Sequence, residues 1–111
     1  YVLSTLGMLF MDQANDLPVA RSLFQKSVEI DPTNSLYRQR LGRLLFTLGE
    51  GEEAEHNLKL AVEYGGRSPE MYYQLGCLAE DSGRKEEARG HFQSALKEDP
   101  IYQPALDKVN R

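Results

Sequence analysis

Apolar residues recur along the chain with the period of a helix. Leu41, Leu44, Leu45 and Leu48 fall at i, i+3, i+4 and i+7, and Ala54, Leu58, Ala61 and Val62 trace a second apolar stripe after a short polar break. A stripe of that spacing lies on one side of an α-helix, so the two segments predict a pair of amphipathic helices joined by a turn. The same reading along the chain predicts helices over 1–14, 18–30, 35–48, 52–64, 69–82, 86–98 and 103–110, with no strand. Punctuation sets their limits. Ser68 is placed to cap a helix that has Pro69 in its first turn, Asp31-Pro32 and Asp99-Pro100 stop helices, and Gly49 and Gly83 supply permissive turns.

The helical pattern is itself periodic. Ala20, Ala54 and Ala88 are separated by 34 residues, as are Phe24, Leu58 and Phe92, then Ser27, Ala61 and Ala95, then Pro32, Gly66 and Pro100. Leu41-Gly42 returns as Leu75-Gly76, and Gly49 as Gly83. Leu6-Gly7 joins at a spacing of 35, which places the extra residue between Gly7 and Ala20, in the stretch 14–18. Small residues at Gly42, Gly76, Ala54 and Ala88 predict close approach of paired helices, with the larger Leu and Phe side chains filling the space beside them.

These recurring residues resemble the tetratricopeptide repeat, a helix–turn–helix unit of about 34 residues marked by Leu-Gly, an aromatic, Ala, Phe and Pro in that order. The third copy matches most fully, through Tyr72, Leu75-Gly76, Gly83, Ala88, Phe92, Ala95 and Pro100. The second departs from the family at Arg38 in place of Trp, Leu58 in place of an aromatic, and Gly66 in place of Pro. The resemblance implies an all-α superhelical solenoid of three repeats (1–34, 35–68 and 69–102), forming a single domain over 1–111. The terminal helix, 103–111, reads either as the first helix of a fourth repeat or as a cap with Asp107, Lys108, Asn110 and Arg111 on its polar face. A chain that opens and closes on helices is expected to be a piece of a longer protein. Its first helix carries Tyr1, Val2, Leu3, Leu6, Leu9 and Phe10, an apolar set expected to bring two copies together or to meet an upstream repeat.

The resemblance also implies a function. In such proteins the first helices line a concave groove that takes a peptide or a partner helix, and the positions left over from the helix-pairing seam supply its lining. Here those positions give Met8 in the first copy, Gln39, Arg40, Arg43 and Phe46 in the second, and Tyr73 and Cys77 in the third. Met8, Phe46 and Tyr73 make an adaptable apolar strip. Arg40 and Arg43 suit a partner bearing a carboxylate or phosphate, because a guanidinium engages such a group bidentately. The alternative at the residue level is that Met8 and Phe46 belong to the core and the two arginines to a solvated face. Repeats of this family that hold the acidic tails of heat-shock chaperones use Lys and Asn on the first helix, Asn on the third, and Lys with Arg on the fifth. This chain has Ser4 and Met8, Arg40, and Glu70 and Gln74 at those places, so that clamp is not expected. The expected function is a non-catalytic scaffold for a protein or peptide partner. The alternative is a spacer or self-association segment of a longer solenoid.

Composition narrows the classes further. A charge of -4 from 13 Lys+Arg and 17 Asp+Glu disfavours nucleic acid as the main partner, which requires a basic field. No apolar run approaches the roughly 20 residues of a membrane-spanning helix. Cys77 is the single cysteine, so no intrachain disulfide forms, and one Cys with two His supplies no closed metal site. His56 and His91 read as surface residues and Cys77 as a small packing residue more than a reactive thiol. Acidic residues Glu50, Glu52, Glu53, Glu55, Glu86 and Glu87 cluster at starts of second helices, where they complement the helix dipole. No nucleophile, base and transition-state donor converge, so neither catalysis nor a cofactor is expected.

Overall fold

A computed structural model describes residues 17–110, and among them the chain forms six helices and no strand. They are α1 (Leu17–Ile30), α2 (Ser35–Thr47), α3 (Gly51–Glu63), α4 (Pro69–Asp81), α5 (Lys85–Glu98) and α6 (Gln103–Val109). Each lies within one residue of a helix limit expected from the sequence. The helix expected over 1–14, with Met8 and the apolar set from Tyr1 to Phe10, lies outside the described residues.

Local chemistry explains the limits. Asn34 caps α2 by accepting a hydrogen bond from the Tyr37 amide at 3.0 Å, and Ser68 caps α4 by accepting from the Met71 amide at 3.4 Å. Three helix ends close alike. The amide of Glu50 donates to the Leu45 carbonyl, that of Gly66 to Ala61, and that of Arg84 to Ala79, each five residues apart, with Gly49, Gly65 and Gly83 in between at φ of 79, 103 and 80°. This left-handed closure satisfies carbonyls the helix leaves open, and glycine adopts it without a steric cost. The departure at Gly66 thereby has a cause: the closure of α3 uses a Gly pair where the other copies place Pro.

The chain divides into two compact units, Tyr1–Gly66 and Arg67–Arg111. In the first, α1 packs on α2 and α2 pairs with α3. Ala20, Phe24, Leu44, Leu45, Ala54, Leu58 and Ala61 are buried there. A Cβ placed on Gly42 would sit 2.7 Å from Leu58 Cγ, so the expected close approach of paired helices is present and only hydrogen fits at that point. Arg38, which stands where the family favours Trp, donates from Nε to the Pro32 carbonyl at 2.9 Å and from Nη1 to Oδ1 of buried Asn57 at 3.0 Å. A polar pair thus replaces an aromatic contact.

The second unit repeats the scheme. Its α4 pairs with α5, and α5 packs on α6. A Cβ on Gly76 would lie 2.7 Å from Phe92 Cδ1, the same collision at the same point of the repeat. Tyr37, Met71 and Ala105 occupy one further shared register position and are all buried, a core position that the varied residue types concealed. One expectation is corrected here. His91 is only 20% exposed at its side chain, with a buried Nε2, and is not a surface residue; it stands 34 positions after Asn57, which is buried too. His56 is exposed as expected.

Candidate functional site

The residues expected to bind a partner fall on two helices. Gln39, Arg40, Arg43 and Phe46 are on α2 and all half-buried. Gln39, Arg43 and Phe46 are spaced i, i+4 and i+7 and so share one face, away from the wholly buried Leu41, Leu44 and Leu45 that hold α2 to its neighbours. Arg40 and Arg43 both take part in interactions within the chain. Thr47 Oγ1 donates back to the Arg43 carbonyl at 3.1 Å, fixing the end of this face.

On α4, Tyr73 and Cys77 occupy the register positions of Gln39 and Arg43. Both are half-buried and pack against the cluster of Ala79, Ala88 and Phe92. The Tyr73 ring lies 5.9 Å from Phe92 and 6.1 Å from Tyr102, the latter edge-on at 71°. Tyr73 and Cys77 share a hydrogen bond, and this bond, aided by burial, pushes the Tyr73 phenol up to about 12. Burial pushes the Cys77 thiol up as well, against the opposing pull of the Tyr73 hydrogen bond. A thiol shifted that way is mostly protonated near neutrality and a poor nucleophile. Burial likewise raises Tyr102. At the places where a chaperone-tail clamp would stand, Gln74 is buried and donates to Glu70 at 3.3 Å.

Sequence reasoning missed a polar strap. Arg21 on α1 holds Glu50, in the turn between α2 and α3, through Nη1 to Oε1 at 2.8 Å and Nη2 to Oε2 at 2.6 Å, with Glu53 at 3.7 Å. The Glu50 hydrogen bond raises the Arg21 pKa above its ordinary value. Glu50 and Glu53 were explained by the helix dipole alone, and a cation 29 residues earlier carries no local signal. In the second unit Lys108 donates to Glu80 at 2.7 Å and lies 5.9 Å from the Phe92 ring centroid, fastening α6 to α4 and α5. Among the described residues no group of three or more His, Cys, Asp or Glu is placed to hold a metal ion, and no helix is long and apolar enough to cross a membrane.

A family model for the tetratricopeptide repeat matches residues 40–100. Comparison with curated protein sequences finds no match. Among solved structures, the first such domain of Spaghetti (RPAP3), bound to the HSP90 peptide SRMEEVD, is similar at a TM-score of 0.89 and 22% identity, over 98% of this chain and 86% of that one. The Arabidopsis OM64 TPR domain is similar at 0.89 and 19%, over 99% and 90%. YrrB, a TPR protein with an unusual peptide-binding site, is similar at 0.83 and 19%, over 98% of this chain and 56% of its own. At these identities the likeness is one of fold, and that fold is the all-α solenoid of helix–turn–helix repeats.

Proposed function

The chain belongs to the tetratricopeptide repeat family, and from that premise we propose that it is a non-catalytic scaffold that takes a peptide or helix of a partner protein on the face of its first helices. The family is typically an interaction module. The observation that carries the proposal is the α2 face itself. Gln39, Arg43 and Phe46 stay half-exposed in line, while Tyr37, Leu41, Leu44 and Leu45 are buried and Leu36, 41% exposed, extends the apolar part of the face. An aromatic edge beside two arginines fits a partner segment that combines an apolar side chain with a carboxylate. Tyr73 and Cys77 offer the same two register positions on α4, with a phenol and a thiol in place of amide and guanidinium.

Two of the structural neighbours support this reading by what they hold: one is bound to an acidic HSP90 peptide and another has a peptide-binding site. The residues here differ from a chaperone-tail clamp, so the partner is expected to carry its acid within a different sequence context. Association of two copies through the apolar segment 1–14 remains part of the proposal, and light scattering across a concentration series reads it directly.

The test is affinity capture from source-cell lysate with the chain and with an Arg40→Glu, Arg43→Glu variant, bound proteins being identified by mass spectrometry. A partner retained by the chain and lost by the variant at unchanged helicity supports the assignment. Identical capture by both, or recovery of the chain alone, removes it in favour of a spacer or self-association role.

A further inference from the structure

The outward stripe of the first helices changes sign between copies. On α2 it runs through Leu36, Gln39, Arg43, Phe46 and Thr47, and on α4, 34 residues later at every step, through Glu70, Tyr73, Cys77, Glu80 and Asp81, all half-buried or exposed. Steps of three and four residues keep each set on one side of its helix. The α2 helix carries three arginines and no acid, whereas α4 carries Glu70, Glu80 and Asp81 and no base. The opposite side of α4 is consumed by packing, with Met71, Leu75, Gly76 and Ala79 buried, so the acidic side is the one it presents.

Aromatic rings stand in the same stripe. Tyr73 has Phe92 at 5.9 Å and Tyr102 at 6.1 Å, and Tyr102 opens α6, so the rings sit where α4 and α6 meet and both helices are in place. The cluster already holds one cation of the chain's own. The Lys108 ammonium is 2.7 Å from Glu80 and 5.9 Å from the Phe92 centroid, a carboxylate and a ring sharing one charge. The same ingredients recur at Tyr102. Burial raises its phenol pKa, and the electrostatic influence of Glu70, then of Cys77 and Asp99, adds to it in the same direction, so this ring stands in a negative field. Resting on the reading that first helices take a partner segment, we propose that the α4 stripe receives a basic side chain of that segment, lysine or arginine, its charged head against the Tyr73 and Tyr102 rings and paired with Glu70. The partner then carries a base for α4 as well as the acid that suits Arg40 and Arg43 of α2. Glu70 accepts a hydrogen bond from Gln74 at 3.3 Å, and a carboxylate that accepts one such bond retains further acceptor sites.

Random dodecapeptides displayed on phage are the probe, selected on the 111-residue protein, and the enriched sequences are synthesised with a dye for fluorescence anisotropy. Enrichment of lysine or arginine is expected, with an affinity that falls about tenfold or more in Glu70→Lys and in Tyr102→Leu. Replacing the peptide's base by glutamate should recover binding to the Glu70→Lys protein and lose it with the unaltered one. Tyr102 makes no side-chain capping bond to α6, so its replacement spares the helix, and circular dichroism monitors both variants. A selection that yields no saturable binder, or binders without basic enrichment, overturns the proposal. So does equal affinity for the unaltered protein and either variant, or a loss in Glu70→Lys that the charge-reversed peptide does not recover. A loss caused by Arg43→Glu and by neither α4-face variant overturns it and leaves the first-helix reading standing. Binding indifferent to Arg43→Glu, Glu70→Lys and Tyr102→Leu alike puts the peptide elsewhere and removes both.

Discussion

Two glycines of the second unit separate packing from backbone freedom. At Gly76 an added methyl meets the Phe92 ring, whereas at Gly90, in the middle of α5, nothing lies within 4 Å of the same atom. Gly76→Ala should therefore cost about 1–3 kcal/mol through overpacking. Gly90→Ala should stabilise by about 0.5–1 kcal/mol by removing a flexible residue from a helix interior. Urea unfolding of both variants measures the two signs, and an equal effect would refute the seam as the cause. The Tyr73–Cys77 pair gives a second residue-scale expectation. The phenol is raised to about 12, so the unfolded chain gives up that proton first; the stability tied to it is complete below about 10 and falls as pH rises through the interval to about 12. Titrating tyrosinate absorbance should show a high step that Tyr73→Phe abolishes. The seam was legible in the sequence because Gly, Ala and Leu or Phe return every 34 residues. Tyr37, Met71 and Ala105 were not, because their position selects burial and tolerates any size. His91 was misjudged because an ionisable side chain suggests a surface, while its register partner Asn57 shows an interior polar position.

Among whole elements, the helix ends carry much of the specification. Gly49, Gly65 and Gly83 close α2, α3 and α4 in the left-handed region, where a side chain costs roughly 1–2 kcal/mol. Gly83→Ala, in open space, should lower stability by about that amount through conformation alone. The same replacement at Gly90 has the opposite sign, so the two together isolate the backbone effect. The polar contact between α2 and α3 is the other element-scale device. Arg38→Ala would leave Asn57 Oδ1 buried without its partner, at a cost of about 1–3 kcal/mol, while Asn57 keeps its own donation to the Glu53 carbonyl at 3.0 Å. Helix limits were readable from Ser68, Pro69, Asp31-Pro32 and the glycines, since caps and breakers act within a few residues. The Arg21–Glu50 strap was not, since its members lie 29 residues apart and their charges are exchanged in the next copy. A search for identical residues at a fixed period passes over positions whose charges are exchanged from one copy to the next.

For the molecule as a whole, repetition makes stability a sum of local terms plus those between neighbouring repeats. Each compact unit holds one complete helix pair with its own glycine seam, Gly42 on Leu58 and Gly76 on Phe92. An overpacked seam should then act first where it stands. In native-state hydrogen exchange, Gly42→Ala is expected to lower protection of amides in α2 and α3 more than in α4 and α5, and Gly76→Ala to do the reverse. Equal loss everywhere in both variants would mean that the chain opens only as one cooperative body. The distinction bears on binding, because the α2 face lies in the first unit and the Gly76 seam in the second. If opening is local, Gly76→Ala should leave partners of Arg40 and Arg43 in place. Under a single cooperative opening, it would weaken their capture in proportion to the stability lost.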